Sequence, residues 1–386
     1  MEAKNLQTPQ AMLPLRVGIP HLKELIKLHV RETWAPDSPG VFVVGPPGVG
    51  KTAASRQAVA ELGQELGEPV GLKDIRLTEV TPLDTIGLPY HDKNTNRTRY
   101  ALSELLPGPD DPRRGVVVFD ELPNANPSVQ TAVYKACTEH AVGPHPLPPG
   151  WWVVLMGNRF SDRGNVFPVP KPLVNRVTVL EVEASVDDYL GYMLPYGLAP
   201  EIHAYLRQNP GHLLMMDYSP DPMPYPTPRA WTYLSWHLRR MESRGLNERG
   251  RARLLPAIAQ GQVGPAIGTQ FVTYREHFRV IPDAEAIIEG RAAPSCPAAP
   301  DAAWALAAAL VQHVPRAQTL KHFVAYLDRM PTDLQVYIVR DAVRTARDPR
   351  DVTRKLEVQD TKPLWDRWCA SNKEFLAAVA AHSKTA

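Results

Sequence analysis

The chain reads as an α/β protein built on a three-layer parallel sheet. Three observations predict it: a glycine-rich loop entered from an apolar run, short apolar runs alternating with helix-forming segments, and one such run ending in two carboxylates. The loop is Gly45-Pro46-Pro47-Gly48-Val49-Gly50-Lys51-Thr52, and Val41-Phe42-Val43-Val44 leads into it. Glycines there let successive backbone N–H groups turn onto one polyphosphate. Lys51 can reach the outer phosphates, the Thr52 hydroxyl can ligate Mg²⁺, and a helix from Thr52 to Leu66 would point its positive end at the same anion.

Around the loop the elements follow in order. Leu22, Leu25, Ile26 and Val30 at helical spacing predict an amphipathic helix over 21–34. Further strands are predicted at 75–78, 116–119, 153–156 and 177–182. The middle two are continuously apolar, as strands buried on both faces are, whereas the outer two alternate and belong nearer an edge. Residues 81–107, with Gly87, Pro89, Asn94 and Asn96, are too polar for core and too long for a connector, and predict an inserted hairpin or loop. From 185 the strand signal fades into helical spacing, interrupted by prolines at 219–228 and by a Pro/Ala stretch at 292–300. The expected organisation is a leader at 1–16, an α/β domain at 17–184, a helical lid at 185–279, a linker at 280–303 and a C-terminal helical region at 304–386.

Bulk properties bound the class. A length of 386 residues with 44% hydrophobic content supports two or three domains with real cores. The 43 basic and 41 acidic side chains give a net charge of +2, which argues neither for nor against a nucleic-acid partner. Cys137, Cys296 and Cys369 lie far apart with no C-x-x-C pair, which suggests neither a disulfide framework nor a zinc site. Residues 1–15 have no apolar signal-like run, and no stretch approaches the ~18 apolar residues that span a bilayer. A cytoplasmic location is therefore expected, with no membrane partner. Glu139, His140 and His145 are close in sequence, but their spacing fits no standard zinc set.

The chemistry-bearing residues stand at strand ends, where ligands of parallel sheets sit. Asp120 and Glu121 end the run 116–119; Asp120 suits Mg²⁺, through water, and Glu121 suits accepting a proton from the water that attacks the γ-phosphate. Asn158 ends the next apolar run, and an amide beside a phosphate can orient a water. Arg176 precedes the strand at 177–182, and Arg229 follows Pro228 in the helical region. A permanently charged planar fork can follow charge onto phosphoryl oxygens, although for either arginine taken alone a surface salt bridge explains it as well. Arg239-Arg240, beside Trp236 and Leu238, reads as the solvated edge of an amphipathic helix.

Taken in order, these motifs resemble the AAA+ ATPases, and more narrowly the MoxR family. The stretch from Asp120 to Gln130 is similar to that family's Asp-Glu-x-Asn-Arg-Ala-x-Pro-x-x-Gln signature, departing at Pro123 and Asn124 where Asn and Arg are usual. Gly157-Asn158-Arg159-Phe160-Ser161-Asp162-Arg163, Leu173 to Arg176, Pro226 to Arg229, Tyr326 to Pro331 and Val339 to Ala342 also resemble a bacterial and phage subgroup of MoxR-like ATPases. The resemblance implies Walker A at Lys51 and Thr52, Walker B at Asp120 and Glu121, sensor 1 at Asn158, sensor 2 at Arg229 and an arginine finger at Arg176. Arg159 and Arg163 are rival charge donors. It further implies ATP and Mg²⁺ as cofactors, a ring, most often hexameric, and a pore- or rim-facing placement for 81–107 and 140–150.

The function implied is an ATP-hydrolysing ring that remodels or activates a protein partner. The subgroup is often encoded beside proteins with a von Willebrand factor A domain, which makes such a protein the expected partner. Two alternatives stand beside it. A nucleic-acid-handling AAA+ motor is opposed by the near-zero net charge and by the absence of a recognisable DNA-binding module in 304–386. A nucleotide-gated scaffold with little turnover is opposed by the presence of Glu121 and Asn158.

Overall fold

The apolar runs of the first half form one sheet. In a computed structural model, which describes residues 16–31, 39–159, 167–217, 223–276, 281–345 and 349–373, the strands are β1 (Arg16–Val17), β2 (Val41–Val44), β3 (Gly71–Arg76), β6 (Arg114–Asp120), β9 (Gly150–Gly157) and β10 (Thr178–Val182). Their order is β1-β10-β2-β9-β6-β3, and every neighbouring pair is parallel. Helices α1 (Ile19–Arg31), α2 (Lys51–Leu66), α3 (Pro82–Ile86), α4 (Pro127–Thr138) and α5 (Lys171–Val174) supply the connections and flank the sheet. Val116, Val117, Val118 and Phe119 of β6 are fully buried, as their unbroken apolar run requires.

Successive side chains on a strand face opposite ways, and β9 uses this with two tryptophans. Trp151 lies across Gly71 and Gly115, which stand in register with it on β3 and β6. A Cβ at Gly71 would sit 2.4 Å from the Trp151 ring and one at Gly115 2.8 Å, so the two glycines make the room the indole fills. Trp152 faces the other way and stacks on His29 of α1, with ring centroids 4.2 Å apart. Leu22, Ile26 and Val30 bury the rest of the α1 stripe.

Departures from the expected boundaries have local causes. The first helix begins at Ile19 rather than at 21, and 32–34 lie outside the described residues. The strand expected at 75–78 spans Gly71–Arg76 instead. It is the edge strand, half covered, so Leu72-Lys73-Asp74 carry no alternation to betray it, while Thr78 lies past its end. Strand β10 is second from the other edge, covered only by the two-residue β1. Residues 81–107 hold α3 and an exposed antiparallel hairpin, β4 (Pro89–Asp92) with β5 (Arg97–Tyr100). A second small hairpin pairs β7 (Ala141–Val142) with β8 (His145–Pro146).

The chain divides into two compact units, Met1–Glu183 and Ala184–Ala386. The second is helical: α6 (Val186–Met193), α7 (Pro200–Gln208), α8 (Pro228–Ser243), α9 (Glu248–Val263), α10 (Pro265–Arg275), α11 (Ala284–Ile288), α12 (Pro300–His313), α13 (Lys321–Leu327), α14 (Thr332–Thr345), α15 (Pro349–Glu357) and α16 (Lys362–Ser371). One apolar core runs through it, drawing Leu190 and Trp231, then Ile287, then Leu306, Phe323 and Trp368. A charged cluster is buried beside that core. Asp341 accepts from His203 Nε2 (2.7 Å), Arg207 Nε (2.9 Å) and Arg207 Nη2 (2.5 Å), and Arg207 Nη1 donates to Asp187 (2.6 Å). Burial opposes ionisation of Asp341, but the hydrogen bond from His203 and the Arg207 guanidinium outweigh it and hold the carboxyl well below the usual carboxylate range. Among the described residues no helix is long and apolar enough to cross a membrane.

Candidate active site

Residues 45–50 form the loop between β2 and α2, and its shape is set by glycines. Gly48 and Gly50 have φ of 75° and 105°, a region that costs any residue with a Cβ. Gly45 passes so near β10 that a Cβ would meet the Val182 carbonyl oxygen at 2.6 Å. Helix α2 starts at Lys51 with no side-chain cap, so the N–H groups of its first turn face the loop as an anion site. Pro46, Pro47 and Val49 complete the loop, with Pro46 and Val49 buried.

The loop and the strand ends converge. Lys51, only 8% exposed, donates through Nζ to the carbonyls of Gly45 (2.7 Å) and Pro46 (3.0 Å) and to Asn158 Oδ1 (3.2 Å). Thr52 Oγ1 donates to Asp120 Oδ2 at 2.6 Å. Two hard oxygens, one hydroxyl and one carboxylate, thus lie together at the end of the phosphate loop. That set suits Mg²⁺, which keeps most of its waters and takes one or two protein oxygens plus substrate phosphates. A dedicated cage is not its style, and among the described residues no cluster of three or more His, Cys, Asp or Glu could hold a metal.

Glu121 follows Asp120 in the left-handed region, φ 60°, which few residues with a Cβ adopt. Its backbone N–H donates to Asp120 Oδ1 (2.8 Å), and its Oε2 accepts from the Thr78 hydroxyl (2.7 Å). Pro123 packs its ring over Gly157, and a Cβ there would meet Pro123 Cδ at 2.3 Å. Gln130, buried in α4, donates to the carbonyls of Leu122 (3.1 Å) and Ala125 (3.2 Å) and so ties the turn after Glu121 to the helix.

The arginines separate. Arg159 Nη1 donates to Glu181 Oε1 (2.6 Å), whose side chain is 4% exposed, and Arg16 Nε lies 3.7 Å from the same oxygen. Arg176 is exposed; its Nη1 donates to the Tyr134 hydroxyl and to the Pro172 carbonyl (3.2 Å), and its guanidinium carbon lies 5.7 Å from the Tyr134 ring centroid, off the hydroxyl end. Arg163 lies outside the described residues. Arg229 belongs to the second unit, exposed, as the second residue of α8 behind the Thr227 cap.

Thr78, Tyr134 and Glu181 escaped the reading of the sequence, whereas Gln130 was legible as the last residue of the 120–130 stretch. Thr78 meets Glu121 because β3 pairs with β6 so that Arg76 is opposite Asp120, which brings the residues just past both strand ends together. Tyr134 and Glu181 have no local pattern that points to their partners.

No protein-family profile and no curated protein matches the chain. Solved structures with a related arrangement include NtrX from Brucella abortus (12% identity, 68% of each chain, TM-score 0.30) and a candidate ATPase from Cytophaga hutchinsonii (14%, 88% of this chain and 90% of that one, 0.31). A proline-to-glycine mutant of Thermotoga maritima RuvB is a third (16%, 76% and 80%, 0.34). Similarity at this level says nothing about activity. The first unit is a parallel α/β sheet with flanking helices, with the glycine-rich loop after β2, the acidic pair at the end of β6 and the asparagine after β9, and the second unit is helical.

Proposed function

We propose that the chain is an ATPase of AAA+ type with MoxR-like motifs, acting as a ring, most simply a hexamer, that remodels or activates a protein partner. The observation that carries the reading is the meeting of Lys51, Thr52, Asp120 and Asn158 around one loop whose helix end is uncapped. ATP supplies the phosphoryl group to be transferred and Mg²⁺ the charge that offsets it. The loop N–H groups and Lys51 hold the phosphates. Thr52 and Asp120 would hold the metal, Asp120 through water. Glu121, swung from Thr78, accepts the proton of the attacking water, and Asn158 orients that water.

Arg176 completes the site of a neighbouring copy. Its support is twofold: it is exposed on the first unit, whereas the rival Arg159 is already paired with the buried Glu181. Arg229 is the corresponding cation of the helical unit, which would act as a lid and carry nucleotide state to the exposed hairpin at 89–100. A cytoplasmic protein with a von Willebrand factor A domain fits the resemblance as the partner. Phosphate release by the purified chain with ATP and Mg²⁺, beside Glu121→Gln, tests the reading. Turnover by the wild type and its collapse in the variant support it, and equal rates overturn it.

A further inference from the structure

Arginine fingers are long, flexible side chains, and an exposed one is productive only for the fraction of time its fork points at the neighbour. Arg176 has a mount. Its guanidinium lies off the hydroxyl end of the Tyr134 ring, 5.7 Å from the ring centroid, and the Tyr134 hydroxyl accepts from Nη1, the nitrogen that also donates to the Pro172 carbonyl at 3.2 Å. Both hydrogen bonds use that one nitrogen. Among the described residues, none accepts from the other edge of the fork, Nη2 and Nε, which can therefore meet an anion.

Tyr134 is itself firmly based. It stands half-buried on α4, a helix capped by Asn126, whose Oδ1 accepts from Ser128 N at 3.0 Å, and tied by Gln130 to the turn that follows Glu121. Leu173, 1% exposed, anchors the short α5 on the other side of Arg176, and the Arg176 backbone N–H donates to its carbonyl at 2.9 Å. Hydroxyl and carbonyl thus fix a side chain that exposure alone would leave free.

We propose that Tyr134 is a positioning residue for Arg176, holding the guanidinium with its Nη2–Nε edge free to meet the nucleotide of an adjacent copy. The inference rests on Arg176 acting as the finger. Because Tyr134 acts through Arg176, its loss slows the chemical step and leaves nucleotide binding in its own subunit unchanged.

The test is a double-mutant cycle on the full chain under assembling conditions, reading kcat, KM for ATP, nucleotide affinity and Tm. Tyr134→Leu keeps bulk but loses ring and hydroxyl, and should lower kcat about tenfold with KM and affinity within about twofold. Tyr134→Phe keeps the ring but loses the hydroxyl that accepts from Nη1, and should fall about as far as Tyr134→Leu. In an Arg176→Ala background, Tyr134→Leu should change nothing further. Three results overturn the proposal: wild-type or faster turnover in Tyr134→Leu while Arg176→Ala is nearly inactive, an equal loss from Tyr134→Leu in both backgrounds, or Tyr134→Phe turning over like the wild type. Failure of the finger reading appears in a different arm, as Arg176→Ala turning over like the wild type, and it removes this inference with it.

Discussion

The Thr52 hydroxyl donates to Asp120 Oδ2 over 2.6 Å, linking the first turn of α2 to the end of β6 across the intervening strand β9. Both oxygens suit a hard divalent cation. Chelation with EDTA is expected to abolish phosphate release, and Asp120→Asn to raise the Mg²⁺ concentration needed for half-maximal turnover at least tenfold. Titrating Mg²⁺ at fixed ATP measures both, and metal-independent turnover would contradict the assignment.

Lys51→Ala is expected to weaken ATP binding by about 10- to 100-fold, the loss of one or more hydrogen bonds to charged oxygens. Titration with a fluorescent ATP analogue measures it. An unchanged dissociation constant would place the nucleotide elsewhere.

Glu121→Gln keeps the side chain's shape but cannot take a proton, so ATP should remain bound while kcat falls about 10²- to 10⁴-fold. Rapid-quench turnover with a parallel binding titration separates the two effects. Undiminished kcat would show that another group serves as base.

Gly157→Ala tests the packing behind the acids. The added Cβ meets Pro123 Cδ at 2.3 Å, and relief of that clash moves the turn that follows Glu121. The expected outcome is a fall in kcat of ~10-fold or more with ATP affinity largely retained. Wild-type kinetics would mean that the Pro123 ring gives way without disturbing Glu121.

Asp341 makes a stability prediction in the second unit. Its carboxyl is held low, so its contribution is fully present above the unfolded carboxylate pKa of about 3.9 and is lost as pH falls below that toward the folded value. Asp341→Asn leaves the buried Arg207 short of its partner and should cost about 3–5 kcal/mol at neutral pH. Urea unfolding at pH 7 and pH 3.5 checks this: the gap between wild type and variant should narrow at the lower pH. A gap that widens there reverses the sign and contradicts the account.

What the sequence made legible follows from how local each signal is. The loop 45–52, the strand leading into it, and the apolar runs that deliver Asp120 and Asn158 are each contained in a few consecutive residues. Strand β3 was misplaced because an edge strand need not alternate, and Thr78 was missed because its partner lies 43 residues away. The brace between Tyr134 and Arg176, 42 residues apart, and the cluster joining His203 to Asp341, 138 apart, depend on packing that no short window encodes. The departure at Pro123 was visible, but its packing against Gly157 needed coordinates.

The central claim is that hydrolysis belongs to an interface, with the loop of one copy served by Arg176 of the next. Mixing measures it directly. Arg176→Ala and Lys51→Ala chains should each be nearly inactive, the former with about 10³-fold lower turnover but ATP still bound. In mixed assemblies some interfaces join an intact loop to an intact Arg176, and phosphate release should recover part of the wild-type rate. A mixture as inactive as its components although mixed assemblies form, or full specific activity from a dilute wild-type monomer, would contradict the shared site.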